Sequence, residues 1–162
     1  MTFETGYAEM TIWEISEKAD YIADRHRRQQ KLWHSYCNSL VQGITLSKAR
    51  LHHAVSSAPS EGLSFVLFEH FIIHITLDAG FNSHTIHYSL ETRDGRDSQP
   101  IASAHLGSDG TVDDGINCLD RDQVLAHYLQ KIEPVYQRLY DAIENDRPVS
   151  ITQLTSGQAH HA

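Results

Sequence analysis

The first third of the chain carries apolar residues at alternating spacings of three and four, the period of one helix face. The series begins directly after Thr11 and Glu14, a pair spaced to form a capping box at a helix N-terminus. Neither Pro nor Gly interrupts it before Gly43, a residue type that often ends a helix. The pattern predicts a helix of about 30 residues. Its inner stripe consists of Ile15, Ala19, Ile22, His26, Gln29, Trp33, Tyr36 and Leu40.

The middle of the chain changes to the two-residue period of β-strands. Between residues 63 and 77 the odd-numbered positions are apolar except at Glu69, so we expect a buried odd-numbered face and a break near Glu69 and His70. Turn residues at 78–80, 94–100 and 108–110 separate further short strands. Residues 47–55 are ambiguous, and we expect a short helix there. The middle third is therefore predicted to be an antiparallel meander of three to five strands.

The last third returns to the helical period. Asp120 is placed to cap the helix, and Pro134 removes one backbone donor inside it. We expect one kinked helix, because the apolar stripe keeps its phase on both sides of the proline. The stripe consists of Leu125, Tyr128, Leu129, Ile132, Val135, Tyr136, Leu139 and Ile143. The predicted fold class is α+β, with a flexible extension at residues 1–10, a single domain at residues 11–154 and a loose tail at residues 155–162.

Composition places the chain among globular proteins. Of its 162 residues, 40% are hydrophobic and 21% are charged, and the formal net charge is −8. No apolar run approaches the roughly 18 residues that cross a bilayer, and no signal-peptide pattern opens the chain. Cys37 and Cys118 lie far apart and outside any C-x-x-C pair, which predicts two reduced thiols. We therefore expect a cytoplasmic protein with no membrane partner.

Histidines and acidic residues are frequent, but their spacing defines no chemical site. His70 and His74 would share a strand face, whereas His84 and His87 would point to opposite faces, so a zinc or nickel site would lack ligands. The acidic residues between positions 109 and 122 lack the spacing of a calcium loop. The chain contains no nucleophile elbow, Walker loop, H-E-x-x-H or G-x-G-x-x-G. We predict no catalytic residue, no metal ligand and no cofactor, and hence no enzyme.

A basic cluster on the first helix is the strongest candidate site. Arg25, Arg28 and Lys31 lie within two helical turns, and Trp33 follows as an aromatic anchor. Three interpretations remain open, namely contact with nucleic-acid phosphates, docking to an acidic protein surface, and solvation of an exposed helix. The net charge of −8 argues against the first. We predict these four residues to be partner-binding, with no direct binding to DNA.

Several segments of the chain resemble a family of formate hydrogenlyase regulatory proteins from bacteria that ferment formate. The similarity extends from Met10 to Gln158, essentially the whole chain. Its clearest segments are MTIWEISEKADYIA at 10–23, YCNSLVQGITLSKARLHH at 36–53, FVLFEH at 65–70, GFNSHTI at 80–86 and AIEN at 142–145.

The resemblance implies a negative regulator of the formate hydrogenlyase regulon. Such a protein opposes the formate-responsive transcriptional activator, and the resemblance leaves open whether it does so by direct contact, by interfering with formate sensing or otherwise. We predict an anti-activator that works by protein contact with the activator. The family supplies no catalytic or binding motif that could be carried over to particular residues. The histidines keep a second hypothesis open, a small metal-binding or accessory protein of hydrogenase maturation. The sequence also leaves open whether the protein forms a homo-oligomer.

Overall fold

The computed structural model describes residues 11–51, 53–58 and 62–159, which form a mixed α+β fold. Its helices are α1 (Ile12–Leu46), α2 (Arg121–Glu144) and α3 (Ile151–Ala159). The strands of its main sheet are β1 (His53–Ala58), β2 (Gly62–Leu67), β3 (Phe71–Leu77), β4 (Thr85–Thr92) and β5 (Ser98–His105). Two short strands before α2 form a hairpin, β6 (Thr111–Val112) and β7 (Ile116–Asn117). The predicted fold class is confirmed.

The main sheet is the predicted meander, with each strand antiparallel to the next in the order β1-β2-β3-β4-β5. The predicted break near Glu69 is confirmed, because Phe68 and Glu69 have positive φ angles and turn the chain from β2 into β3. Phe65 pairs with Ile73, and both side chains are fully buried on the odd-numbered face. A slip of one residue in this register would turn the apolar face towards solvent.

The core lies between the helices and the buried face of the sheet, which is odd-numbered in β2 and β3 and even-numbered in β4. From α1, Tyr36 reaches Tyr88 on β4, and from α2 the ring of Tyr128 lies 5.7 Å from that of Phe65 on β2. Burying a large apolar side chain stabilises a fold by about 1.5–3 kcal/mol, so this shared layer holds the sheet and helices together. No described helix combines the length and hydrophobicity that a membrane crossing requires.

After Tyr36, the end of α1 and the start of β1 differ from the predicted boundaries. Gly43 does not end α1, which continues to Leu46; a Cβ at Gly43 would lie 3.1 Å from the backbone oxygen of Arg121 and equally close to Leu125. Glycine is therefore needed for the close approach of α1 to α2, a role that the sequence alone does not separate from a helix stop. The short helix predicted at residues 47–55 is wrong, because β1 begins at His53 and pairs along β2.

The predicted C-terminal helix begins as expected, but the chain that follows it departs from the prediction. Asp120 caps α2, since its side chain accepts hydrogen bonds from two backbone N–H groups of the first turn, and α2 continues through Pro134 as one helix. The loose tail is wrong for residues 155–159, because α3 spans Ile151–Ala159 and buries Leu154 and Thr155. The extension predicted at residues 1–10 and the last residues, 160–162, lie outside the described residues.

Both cysteines are free thiols. Cys118 is buried, and its backbone oxygen accepts a hydrogen bond of 2.7 Å from the Ser39 hydroxyl on α1. Burial raises the pKa of Cys37 to about 12 and also raises the pKa of Cys118. Both thiols therefore stay protonated and weakly nucleophilic at neutral pH.

Tyrosines and one histidine form a polar cluster inside the core. The hydroxyl oxygens of Tyr36 and Tyr88 lie 2.6 Å apart, and both side chains are fully buried. His53 Nε2 lies 3.2 Å from the hydroxyl of Tyr128 and 3.5 Å from that of Tyr136. Burial lowers the pKa of His53 to about 4, because a charged ring would lose its hydration there. The neutral ring can accept a hydrogen bond from a tyrosine hydroxyl.

We expect Gly62→Ala to destabilise the fold by roughly 1–3 kcal/mol. Gly62 opens β2 with a φ of +94°, and a Cβ there would lie 2.2 Å from the backbone oxygen of Ile75. Gly95→Ala is the matched control, because Gly95 also has a positive φ, +75°, but no atom lies within 4 Å of its added Cβ. Urea denaturation followed by circular dichroism gives both free energies of unfolding. An equal loss of unfolding free energy in both variants would contradict a cost that comes from the contact with Ile75.

We expect the free energy of unfolding to fall as the pH drops through the range set by His53. Its pKa is about 4 in the folded protein, against about 6.5 in an unfolded chain. The unfolded chain takes up the proton first, so this contribution is complete above pH ~6.5 and is lost progressively towards pH ~4. The loss of unfolding free energy is at most about 3 kcal/mol. The ring is only half-buried, so screening by solvent lowers this figure. Urea titrations across this range should show a smaller dependence for His53→Gln, and an identical pH dependence would contradict the assignment.

Candidate protein-binding surface

The first half of α1 extends beyond the rest of the fold. From Ile12 to Arg28 every side chain is exposed or half-buried, and the buried residues of the helix begin at Gln29. The predicted capping box is confirmed, since the Glu14 N–H donates to Thr11 Oγ1 at 3.2 Å and the Thr11 N–H donates to Glu14 Oε1 at 3.1 Å. We call residues 12–28 the outer arm, which is about 25 Å long.

Contacts at the base of the outer arm determine where it leaves the fold. The side-chain amide of Gln29 donates to the backbone oxygen of Ser83. The ring of His26 stacks on Phe81, with the ring centroids 5.2 Å apart. Phe81 and Ser83 lie in the turn between β3 and β4. The outer arm therefore projects from that end of the sheet.

The four residues that the sequence predicts to be partner-binding differ in exposure and in their contacts. Arg25 and Lys31 are exposed and can meet a partner. Arg28 is also exposed, but its Nε donates to the backbone oxygen of Ser108 at 2.9 Å. Trp33 is only 5% exposed and belongs to the core, because it lies where the inner stripe of α1 begins to pack on the sheet. Burial leaves little of its ring for a partner, so the structure gives no support to its predicted role as an aromatic anchor.

Two aromatic residues of the outer arm were missed by the sequence reasoning. Trp13 is 76% exposed, and Tyr21 is also exposed, with the guanidinium of Arg25 lying 5.9 Å from its ring centroid. Both positions fall outside the inner stripe of α1. Their position outside the stripe could have indicated their exposure, because a large aromatic residue off the buried stripe of a helix is expected to face solvent.

A second exposed apolar surface lies between α2 and the turn from β2 into β3. It is a groove with a volume of about 560 Å³, which we call the apolar groove. Its lining residues are Phe68, Phe71, Tyr136, Leu139, Tyr140, Ile143 and Val149. Tyr140 and Ile143 are more than half exposed, although the sequence stripe predicts Ile143 to be buried. An apolar surface of this kind on a folded domain indicates an interaction site.

Among the histidines that suggest a metal site, His74, His84 and His87 each lie within hydrogen-bonding distance of a different partner. His74 Nδ1 lies 3.1 Å from a carboxylate oxygen of Glu91, and His87 Nε2 lies 2.8 Å from one of Asp78. His84 Nδ1 lies 2.8 Å from a backbone oxygen. Within residues 11–51, 53–58 and 62–159, no three His, Cys, Asp or Glu side chains are grouped so that they could hold a metal ion. The geometry offers no support for a metal-binding protein.

The acidic residues after β5 stabilise local structure. Asp109 accepts hydrogen bonds from the backbone N–H and the hydroxyl of Thr111, and these bonds lower the pKa of Asp109. Asp113 lies 2.8 Å from His127 Nε2 and 3.1 Å from Lys131 Nζ. Burial raises the pKa of Asp113, but the hydrogen bonds from its partners outweigh burial and hold that pKa below its usual range. These carboxylates are engaged within the fold.

Comparison with known proteins agrees with the resemblance seen in the sequence. Residues 10–155 match a family described as the transcriptional repressor of the hyc and hyp operons. The formate hydrogenlyase regulatory proteins HycA of Escherichia coli strain K12 and of Shigella flexneri are each 67% identical to the chain over 150 residues, which are 93% of the chain and 98% of each relative. No solved structure matches the chain significantly. The chain therefore belongs to the HycA family of transcriptional repressors of the hyc and hyp operons.

Proposed function

We propose that this protein represses the hyc and hyp operons as an anti-activator, by binding the formate-responsive transcriptional activator of the regulon. It acts in the cytoplasm through protein contact, without catalysing a reaction and without occupying DNA itself. The outer arm carries this proposal, because a helix that leaves the fold with charged and aromatic side chains exposed is suited to contact a partner.

The composition of the outer arm and its base supports a protein partner. Arg25 and Lys31 are exposed cations, and Trp13 and Tyr21 are exposed aromatic residues. Trp, Tyr and Arg are the residue types that most often dominate the binding energy of protein interfaces. The cations would meet an acidic surface on the activator, which gives the contact specificity and a faster association.

Charge argues against direct binding to DNA. A duplex-binding protein gains affinity by neutralising phosphates and releasing their counterions, and the net charge of −8 opposes this. Part of the basic cluster is also engaged within the fold, since Arg27 forms an ion pair with Asp24 and Arg28 donates to the backbone oxygen of Ser108. All four basic residues are exposed, but among the described contacts only Arg25 and Lys31 make neither an ion pair nor a hydrogen bond, which leaves little free charge for stable phosphate binding.

We expect the double variant Arg25→Glu, Lys31→Glu to lower co-purification with the activator by roughly tenfold, because two attractive contacts become repulsive. Repression of an hyc promoter reporter should weaken in parallel. Arg28 is left unchanged in this variant because it is bonded to Ser108. Circular dichroism and the urea midpoint should match those of the wild type, since both substitutions lie on an exposed helix surface.

The control is Lys48→Glu, Arg96→Glu, which makes the same change of charge at two exposed residues away from the outer arm. It should keep co-purification and repression at the wild-type level. A similar loss in both double variants would mean that overall charge, and not the arm, determines binding. A salt-sensitive gel shift of hyc promoter DNA by the protein alone, at physiological ionic strength, would overturn the proposal.

A further inference from the structure

The side of the outer arm that continues the inner stripe of α1 is apolar and uncovered. Its residues, which we call the arm seam, are Ile12, Ile15, Ala19 and Ile22. The three isoleucines are 74%, 52% and 50% exposed, so at least half of each side chain is left uncovered by the described residues. The four residues of the arm seam have the spacing i, i+3, i+7, i+10, a helical period with which an amphipathic helix binds in an apolar groove. The arm seam therefore has the pattern of a helix whose partner is a groove.

The apolar groove of the same chain is a binding site of this kind. Phe68 and Phe71 form one wall at the turn from β2 into β3, and Tyr136, Tyr140 and Ile143 of α2 form the other. The groove thus runs beside a helix, and its open side exposes the large side chains of α2. A second helix laid along it would bury apolar surface from both partners.

One chain cannot bring its own arm seam into its own groove. The outer arm leaves the fold beside Phe81, in the turn between β3 and β4. The groove lies at the opposite end of β3, where Phe68 and Phe71 are. These ends are separated by the length of the strand, about 20 Å, and the arm points away from the fold. Only a groove on another molecule can receive the arm seam.

Charges beside the two surfaces have opposite signs. Lys18 and Arg25, which are two helical turns apart, lie along one flank of the arm seam and are exposed. On α2, Glu133 and Glu144 are exposed and lie one to two turns from Tyr140, along the flank of the groove. Lys18 and Arg25 of the arm can therefore meet Glu133 and Glu144 beside the groove, which favours binding of the arm to the groove.

We propose that the arm seam of one copy binds in the apolar groove of a second copy, so that the protein is a two-fold symmetric dimer. A two-fold axis that brings the first arm to the second groove also brings the second arm to the first groove. The contact is therefore made twice, and it buries the two exposed apolar surfaces of each chain. This inference does not depend on the identity of the activator.

Two variants test the dimer by sedimentation velocity on the full chain over a wide range of concentrations. The arm variant is Ile15→Glu, Ile22→Glu, and the groove variant is Tyr140→Lys, Ile143→Lys; all four side chains are at least half exposed, so the fold should survive. We expect a dimer for the wild type and a monomer for each variant. Circular dichroism spectra that match the wild type confirm that both variants fold.

Mixing the two variants gives the decisive result. The groove variant keeps an intact arm and the arm variant keeps an intact groove, so a mixture should form a heterodimer through one native contact. A wild-type protein that stays monomeric overturns the proposal, and loss of activator binding by the arm variant would then identify the activator as the occupant of the arm seam. A groove variant that remains dimeric overturns it in favour of pairing between arms.

Discussion

The packing of the inner half of α1 against the buried face of the sheet is the contact on which the rest of the structure depends. At its centre the hydroxyls of Tyr36 and Tyr88 lie 2.6 Å apart inside the core. One turn further, the Ser39 hydroxyl donates to the backbone oxygen of Cys118, which ties the segment before α2 to the helix. Because this packing begins only at Gln29, the described residues of α1 before it are left largely exposed.

The outer arm exists because α1 is longer than the sheet on which it packs. α1 has 35 residues, whereas the strands of the main sheet have six to eight. At about 1.5 Å per residue in a helix and about 3.3 Å in a strand, the sheet can support only half of α1. The unsupported half presents two sides, a charged and aromatic side suited to an activator and an apolar seam suited to a second copy. A dimer would offer two charged sides to one partner, and bivalent contact strengthens binding without new chemistry.

The polar residues that first suggest chemistry are used within the fold. His53 is kept neutral by burial beside Tyr128 and Tyr136, and Asp113 holds His127 and Lys131. These contacts pair Nε2 of each histidine and stabilise one arrangement of the core and its loops, although Nδ1 of His53 and of His127 is buried without a hydrogen-bond partner, which is costly. Two surfaces that stay exposed in the described chain are the outer arm and the apolar groove.

Local patterns in the sequence determined the elements whose signals are short-range. The capping box at Thr11, the alternation around Ile73 and the cap at Asp120 each act within a few residues, so the long helix, the meander and α2 could be predicted. The tertiary structure decided what depends on distant partners. The stripe of α1 continues unchanged from Ile15 to Leu40, and only the end of the sheet determines that Trp33 is buried while Ile15 is exposed. Burial is a property of two surfaces in contact, and a sequence pattern specifies only one of them.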